Sequence, residues 1–237
     1  MIEQTYKDER ERQADLIDRG MITYDLLWTL FKPNAEVYSR CDSTHVPRCS
    51  LFRSSTGSQA EDGSRCLEIT TVYLDYNDKR FGESFLKMKV PSFDGEKPIR
   101  DLPCMPLDCH SDKEKIRQVC VESGRLFASL FGSHHHRAYD GIAFTLAGDP
   151  PRPRCLYVKG RIMVDTATHL ERNPGYMHTH VYKSSEALSI TKLSDKQLMI
   201  CSWKVYGFCL TEKLFCESTA MSAPCNLACR PLKTNKA

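Results

Sequence analysis

The residues best suited to chemistry are histidines. They are His134, His135, His136, His178 and His180. Neutral imidazoles bind zinc, and Asp140 or Asp165 would complete the site of a metal-dependent hydrolase. Consecutive residues project in different directions, however, so three in a row rarely converge on one tetrahedral ion. We therefore predict a polar loop after a helix end and no metal site, with the hydrolase kept as an alternative.

A second group joins Cys104 and Cys109 to the adjoining His110. Zinc knuckles need a second pair of ligands at matching spacing, which the sequence does not offer. A thiol beside an imidazole also suggests a nucleophile with its base, but adjacent residues in an extended segment face opposite ways. We expect neither a metal nor a catalytic dyad here. The 12 cysteines are predicted to be reduced, as small core residues or surface thiols.

Four residues are candidates for a partner-facing or structural role: Trp28, Tyr76, Arg161 and Asp165. Arg161 and Asp165 share one face of a predicted strand and lie about 13 Å apart by strand rise, too far for direct contact. In the structural interpretation, Arg161 anchors a neighbouring loop and Asp165 caps a turn that begins at Thr166. In the functional interpretation, the two form a patch for a partner.

Known catalytic signatures are missing from the sequence. It has no phosphate loop, H-E-x-x-H, G-x-S-x-G or G-x-G-x-x-G. We therefore predict a chain that is not an enzyme and needs no cofactor. The net charge of +3, from 33 basic and 30 acidic residues, is too small to predict nucleic acid or a membrane as partner. Without a secretory signal or a long apolar run, an intracellular setting is expected.

The elements that must position these residues follow from periodicity. Charged residues at 1–19 predict a solvated helix, and Thr23–Phe31 predicts a second, with Trp28 packed across the following strands. Alternation between Leu67 and Val90 predicts a hairpin, preceded by a mobile polar connection over Ser54–Ser64. A capping box at Ser111 begins the most regular helix, which extends to Gly132.

Further strands are predicted at Tyr139–Leu146 and Cys155–Asp165, with short strands near Leu198–Cys201 and Gly207–Leu210. The basic turn around Arg152 and Arg154 is predicted to be a solvated hairpin tip. The fold class is therefore predicted as α+β: a mainly antiparallel sheet covered by one long helix, with an N-terminal helical segment. The predicted organisation is a helical lead-in at 1–33, an α+β domain at 34–215 and an unstructured tail at 216–237, with a loop or disordered bridge at 171–195.

Five stretches resemble a known family: Tyr24–Asn34, Leu74–Tyr76 with Phe81–Gly82, Gly160–Asp165, Leu198–Cys201 and Gly207–Phe208. Over roughly residues 20–215, their order and spacing resemble the domain of unknown function that precedes the AAA+ ATPase module in many filamentous-fungal proteins. In that family a nucleotide-binding core would follow Phe215, whereas this chain continues with a cysteine-rich tail. The resemblance therefore implies either a stand-alone or truncated relative without Walker motifs, or a tail that comes from a misread splice junction.

Together these observations favour a non-catalytic recognition or regulatory domain that binds a protein partner or substrate, because family members of this kind engage substrates or adaptors. The alternatives are the metal-dependent hydrolase and a truncated gene product with no activity of its own. The sequence predicts no oligomeric state.

Overall fold

The structure is a computed structural model that describes residues 12–41, 45–60, 63–77, 81–130, 134–148, 152–173, 181–182, 192–219 and 230–231. Of these residues, 50% lie in strands and 28% in helices. The chain divides into two compact units. The first comprises Met1–Arg40, Pro47–Val72 and Phe85–Ile116, and the second comprises Cys41–Val46, Tyr73–Ser84 and Arg117–Ala237.

The first unit is built on antiparallel strands. Its elements are helix α1 at 12–18 and the strands β1 (Met21–Thr23), β2 (Glu36–Arg40), β3 (Pro47–Gln59), β4 (Arg65–Tyr76), β5 (Phe81–Pro91), β6 (Glu96–Pro98) and β7 (Cys104–Pro106). The last residues of β4 and the first of β5 belong to the second unit. Five strands form a sheet in the order β5-β4-β3-β2-β7, and β1 pairs separately with β6. Short 3-10 helices lie at Tyr24–Leu30, Ile99–Asp101 and Leu107–Cys109.

Alternating side chains explain the predicted β4–β5 hairpin, which is confirmed. On β5, Met88 and Val90 are buried while Lys87 and Lys89 are exposed, as the period of two requires. Apolar groups from other elements complete the core of the first unit, where Phe31 stacks on Phe52 with ring centroids 5.5 Å apart. Burying such a side chain contributes about 1.5–3 kcal/mol.

The second unit holds the remaining elements. They are α2 (Lys113–Ser129), which starts within the first unit, β8 (His135–Ala147), β9 (Arg152–Val164), α3 (Thr166–Arg172), α4 (Asp195–Met199), β10 (Lys204–Cys209), β11 (Leu214–Thr219) and β12 (Arg230–Pro231). A capping box begins α4, in which the Ser194 hydroxyl accepts from the Gln197 N–H while the Gln197 side chain accepts from the Ser194 N–H.

Four strands of the second unit close into a barrel. β8 pairs with β9 along its whole length, β9 pairs with β10, and β10 pairs with β11. β11 then returns to β8, with Glu217 opposite Phe144 and Ser218 opposite Ala143. The most deeply buried side chains on these strands are Tyr139, Ala143, Val158, Ile162, Cys209 and Cys216. Closure of the barrel leaves no unpaired edge among these four strands and places their apolar side chains in the barrel interior.

The predicted α+β fold, an antiparallel sheet covered by one long helix, is therefore wrong. The predicted long helix exists as α2 and buries one apolar stripe that includes Ile116, Cys120 and Phe127. Its Gly124 lies against the backbone of Leu198 in α4, where an added Cβ would come within 2.6 Å of the Leu198 carbonyl carbon. The helix thus packs against another helix, while the strands of the second unit bury their apolar faces within the barrel.

The predicted mobile connection at Ser54–Ser64 is wrong over Ser54–Gln59, which forms a strand, while residues 61–62 lie outside the described residues. β3 continues to Gln59, which pairs with Arg65 of β4, after a register shift between Phe52 and Ser54. Its side chains are polar because most of this ribbon faces solvent. The composition therefore marks an exposed strand and not a loop.

The predicted helix at Thr23–Phe31 is present as the 3-10 helix Tyr24–Leu30, but Thr23 makes no side-chain cap hydrogen bond. Leu27, Leu30 and Phe31 are buried. Trp28 does not pack across the strands, because its side chain is 61% exposed.

Later elements differ in part from the prediction. The short strand expected near Leu198 is helix α4, and only a bridge between Leu74 and Cys201 has strand character there. β11 extends to Thr219, past the predicted start of the tail, because it pairs with both β10 and β8. The rest of that tail, except 230–231, and most of the bridge at 171–195 lie outside the described residues. Among the described helices, none combines the length and apolar character needed to cross a membrane.

Candidate functional site

The strongest candidate site is a cleft of about 660 Å³ in the first unit, which we call the Tyr24 cleft. It is lined by Arg12, Thr23, Tyr24, Asp25, Leu26, Arg65, Ser92, Phe93, Asp94 and Gly95. Ligand pockets typically measure about 300–1,000 Å³, so this volume suits a ligand of several residues.

Backbone pairing positions the walls of the cleft. β1 pairs with β6, with Thr23 opposite Glu96, and this brings the start of the 3-10 helix beside the β5–β6 turn. Gly95 makes that turn with a φ of +70°, a conformation that other residues rarely adopt. The Ser92 N–H donates to the Arg65 carbonyl at 2.8 Å, which ties the turn to the first residue of β4. An ion pair between Arg19 and Glu96 lies on the exposed side of β6.

Two aromatic rings meet in the cleft. Tyr24 and Phe93 pack edge to face, with centroids 5.8 Å apart and an interplanar angle of 84°. The Arg65 guanidinium carbon lies 5.9 Å from the Tyr24 centroid, and the Lys97 Nζ lies 5.3 Å from the Phe93 centroid. Each ring is therefore within the range of a cation–π contact.

The charges of the cleft are not neutralised by one another. Arg12 and Arg65 form no ion pair or side-chain hydrogen bond with the described residues, and the same holds for the carboxylates of Asp25 and Asp94. Partial burial raises the pKa of Tyr24, although Arg65 opposes this shift, so the phenol stays protonated and can donate at neutral pH. The arrangement can bind a polar ligand that carries both charges through hydrogen bonds and aromatic contact.

The three consecutive histidines do not form the predicted loop. His135 and His136 are the first residues of β8, and strand geometry sends their side chains to opposite faces. His134 instead pairs with Asp165, with its Nδ1 2.8 Å from Oδ2. His178 and His180 lie outside the described residues. Within the ranges that are described, no three His, Cys, Asp or Glu side chains are grouped to hold a metal ion.

Asp165 occupies the predicted capping position. Its side chain accepts from the Thr168 N–H at 3.0 Å and so caps α3. Burial raises the pKa of this carboxyl, but hydrogen bonds from Thr168 and the interaction with His134 outweigh that effect and hold the pKa below its ordinary value. Asp140, the other carboxylate considered for a hydrolase, accepts a hydrogen bond from the Tyr157 hydroxyl.

Arg161 and Tyr76 do not join the cleft. Arg161 is exposed on β9, and its backbone carbonyl accepts from the Leu210 N–H at 2.9 Å, so the contact with a neighbouring turn is made by the main chain. Tyr76 ends β4 and lines a cavity of about 10 Å³ in the second unit, together with Asp75, Lys204 and Tyr206. Such a space holds about one water molecule.

The thiols considered for catalysis are unsuited to it. Burial raises the pKa of Cys104 to about 12, and Arg48 lowers it only in part. Burial also raises the pKa of Cys109. Nucleophilic cysteines need the thiolate form, so neither residue is activated at neutral pH. His110 packs its ring against Tyr38, and its Nδ1 accepts from the Asp112 N–H at 3.0 Å.

Most residues of the cleft were missed at the level of sequence. Tyr24 and Asp25 were singled out as part of a motif, whereas Arg65, Phe93 and Asp94 were not. The available signal was the turn sequence Ser92-Phe93-Asp94-Gly95, because an aromatic residue in a tight polar turn has few core positions open to it.

Comparison with known proteins finds a family model that matches the part of the chain that holds the cleft. No curated protein and no solved structure matches the chain. Residues 12–111, which include every residue that lines the Tyr24 cleft, match the model of a domain of unknown function, DUF7025.

Proposed function

We propose that this chain is a non-catalytic recognition module that binds a protein partner or substrate through the Tyr24 cleft. The observation that carries the proposal is the edge-to-face pair of Tyr24 and Phe93. It lies beside charged side chains that form no ion pair or side-chain hydrogen bond with the described residues. Aromatic and arginine side chains contribute most of the binding energy at protein interfaces. Here they lie together in a cleft whose size suits a short peptide segment.

The state of the other candidate groups supports a binding role over a catalytic one. The buried thiol of Cys104 has its pKa raised to about 12 by burial, so it is a poor nucleophile. His134 is engaged with Asp165, which in turn caps a helix. These groups have structural partners, and none of them is among the residues that line the cleft.

We also infer kinship with the N-terminal region of fungal AAA+ proteins. Two of the stretches that carry this resemblance, Tyr24–Asn34 and Leu74–Tyr76 with Phe81–Gly82, lie inside the region matched by DUF7025. Sequencing transcripts across the codons for Phe215–Ala220 would test the inference. A reading frame that continues into a Walker motif would support it, and an unrelated domain in that frame would contradict it.

The binding proposal is tested with a peptide library displayed on phage and selected on the wild-type chain. A selected peptide is then synthesised with a fluorescent label, and its Kd is measured by anisotropy for the wild type and for the double variant Tyr24→Ala/Phe93→Ala. Loss of an aromatic anchor typically costs about 2 kcal/mol, so we expect affinity to fall at least about tenfold.

The matched control is Phe85→Ala, which removes another exposed aromatic ring of the first unit outside the cleft. This variant should bind within about twofold of the wild type, since surface substitutions usually change energies by less than about 0.5 kcal/mol. Circular dichroism of each variant checks that the fold is retained. Equal binding by the wild type and the folded double variant would contradict the proposal.

A further inference from the structure

The guanidinium of Arg65 is held in place without using its hydrogen-bonding groups. Its backbone is fixed by the pairing of β3 with β4 and by the bond from the Ser92 N–H to its carbonyl oxygen. Its side chain rests over the Tyr24 ring, with the guanidinium carbon 5.9 Å from the centroid. A guanidinium beside an aromatic ring keeps its N–H edge available for a planar, bidentate acceptor.

Two other cations of the first unit, Arg19 and Lys87, differ in this respect. Arg19 pairs with Glu96 and with Asp15, and Lys87 pairs with Glu68 at 2.8 Å. Arg65 has no such carboxylate among the described residues, although Asp25 and Asp94 line the same cleft. The cleft therefore presents the Arg65 guanidinium in a fixed position, and no carboxylate of the described residues forms an ion pair with it.

We propose that the Tyr24 cleft recognises a peptide segment of mixed charge, in which a carboxylate of the partner binds Arg65 and a basic side chain lies near Asp25 and Asp94. This inference rests on the function proposed above and names the chemistry of the partner. The two aspartates disfavour a polyanion such as nucleic acid or a doubly charged phosphate, because like charges would meet in the cleft. A single carboxylate flanked by a cation satisfies both signs.

The two aromatic rings are unsuited to hold a methylated ammonium group. Such a ligand needs open ring faces. Arg65 lies near Tyr24 and Lys97 lies near Phe93, so cations of the protein already occupy these positions. A further cation would be repelled there, whereas a carboxylate would be attracted.

The test uses two blocked dipeptides as probes, acetyl-Glu-Lys-amide and acetyl-Gln-Lys-amide, titrated into the ¹⁵N-labelled chain and followed by NMR. We expect the Glu peptide to shift the Arg65 Nε–Hε resonance saturably and to bind about fivefold more tightly than the Gln peptide, as partly exposed ion pairs allow. Arg65→Gln should remove this difference, and Arg65→Lys should keep only part of it, because an ammonium group lacks the planar fork.

Lys87→Gln is the matched control, since it removes the same charge from the first unit at a position outside the cleft. It should keep the fivefold preference for the Glu peptide. Equal affinities of the two peptides for the wild type, a preference that survives Arg65→Gln, or tighter binding of inorganic phosphate would each overturn the proposal. Peptide binding that needs Tyr24 and Phe93 but shows no preference for Glu would overturn only this inference and leave the recognition function standing.

Discussion

Replacing Gly207 with alanine is expected to destabilise the barrel of the second unit, because the added methyl group would meet backbone atoms. Gly207 lies in β10 opposite Val164 of β9. A Cβ at this position would lie 2.1 Å from the Met163 carbonyl oxygen and 3.0 Å from both the Met163 carbonyl carbon and the Val164 Cα. No side chain can rotate away to relieve this overlap.

The size of the effect follows from the movement required. Non-bonded carbon–oxygen contacts between strands lie near 3.3 Å, so β10 would have to move by roughly 1 Å from β9. β9 cannot follow freely, because it pairs with β8 along its whole length. Overpacking costs about 1–3 kcal/mol and each lost hydrogen bond about 1 kcal/mol, so we expect the free energy of unfolding to fall by about 3 kcal/mol. In a chain of this size, that lowers Tm by about 6–12 °C.

The assay is urea unfolding followed by the fluorescence of Trp203, which is buried in the second unit. A Trp28→Phe background leaves Trp203 as the single tryptophan of the chain. Gly57→Ala is the control, monitored by circular dichroism, because a Cβ at Gly57 meets nothing within 4 Å. It should stay within about 0.5 kcal/mol of the wild type. A loss of less than about 0.5 kcal/mol for Gly207→Ala would refute the argument from close backbone approach.

Three further predictions concern individual side chains. Gly160→Ala should lower the free energy of unfolding by about 1 kcal/mol, less than Gly207→Ala, because the added Cβ would meet only the Thr211 side chain. In urea unfolding, adding Thr211→Ala should recover part of that loss. If the effects of the two substitutions simply add, the contact does not exist. Asp165→Ala should remove the stability that the lowered pKa of Asp165 provides above about pH 4, which the wild type loses as pH falls through the folded pKa. The loss of the helix cap should cost about 1 kcal/mol at pH 7, and an unchanged pH profile of Tm would disprove the role. Burial raises the pKa of Cys104 to about 12, so this thiol should resist iodoacetamide in the folded protein while the exposed Cys155 reacts. Mass spectrometry measures the labelling of each cysteine, and equal labelling of the two would contradict the prediction.

Local pattern was enough to predict the elements whose side chains alternate or recur regularly. The β4–β5 hairpin, the β8–β9 hairpin and helix α2 all follow from spacing that any reader can see in the sequence. The strand at Ser54–Gln59 did not, because polar residues on an exposed ribbon resemble a loop. A period of two is visible only where alternate side chains are buried and apolar, and few side chains in that part of β3 are buried.

Barrel closure could not be predicted because it depends on contacts between distant parts of the chain. β11 pairs with β8, with Glu217 opposite Phe144. The sequence of neither strand indicates that it pairs with the other. The same holds for the candidate site. Tyr24, Arg65 and Phe93 come from three separate elements, so only the fold brings them together.

The residues that carry the family resemblance have different physical roles in the two units. In the second unit, an added Cβ at Gly207 would overlap the backbone of β9, and one at Gly160 would overlap the Thr211 side chain, so close packing favours glycine at both positions. In the first unit, Tyr24 packs against Phe93 in the lining of a cleft and not in the buried core, and Trp28 is largely exposed. Exposed aromatic side chains that the core does not need are typical of binding surfaces. A test of the proposed partner binding should therefore begin at the Tyr24 cleft, whereas the barrel glycines serve the packing of the second unit.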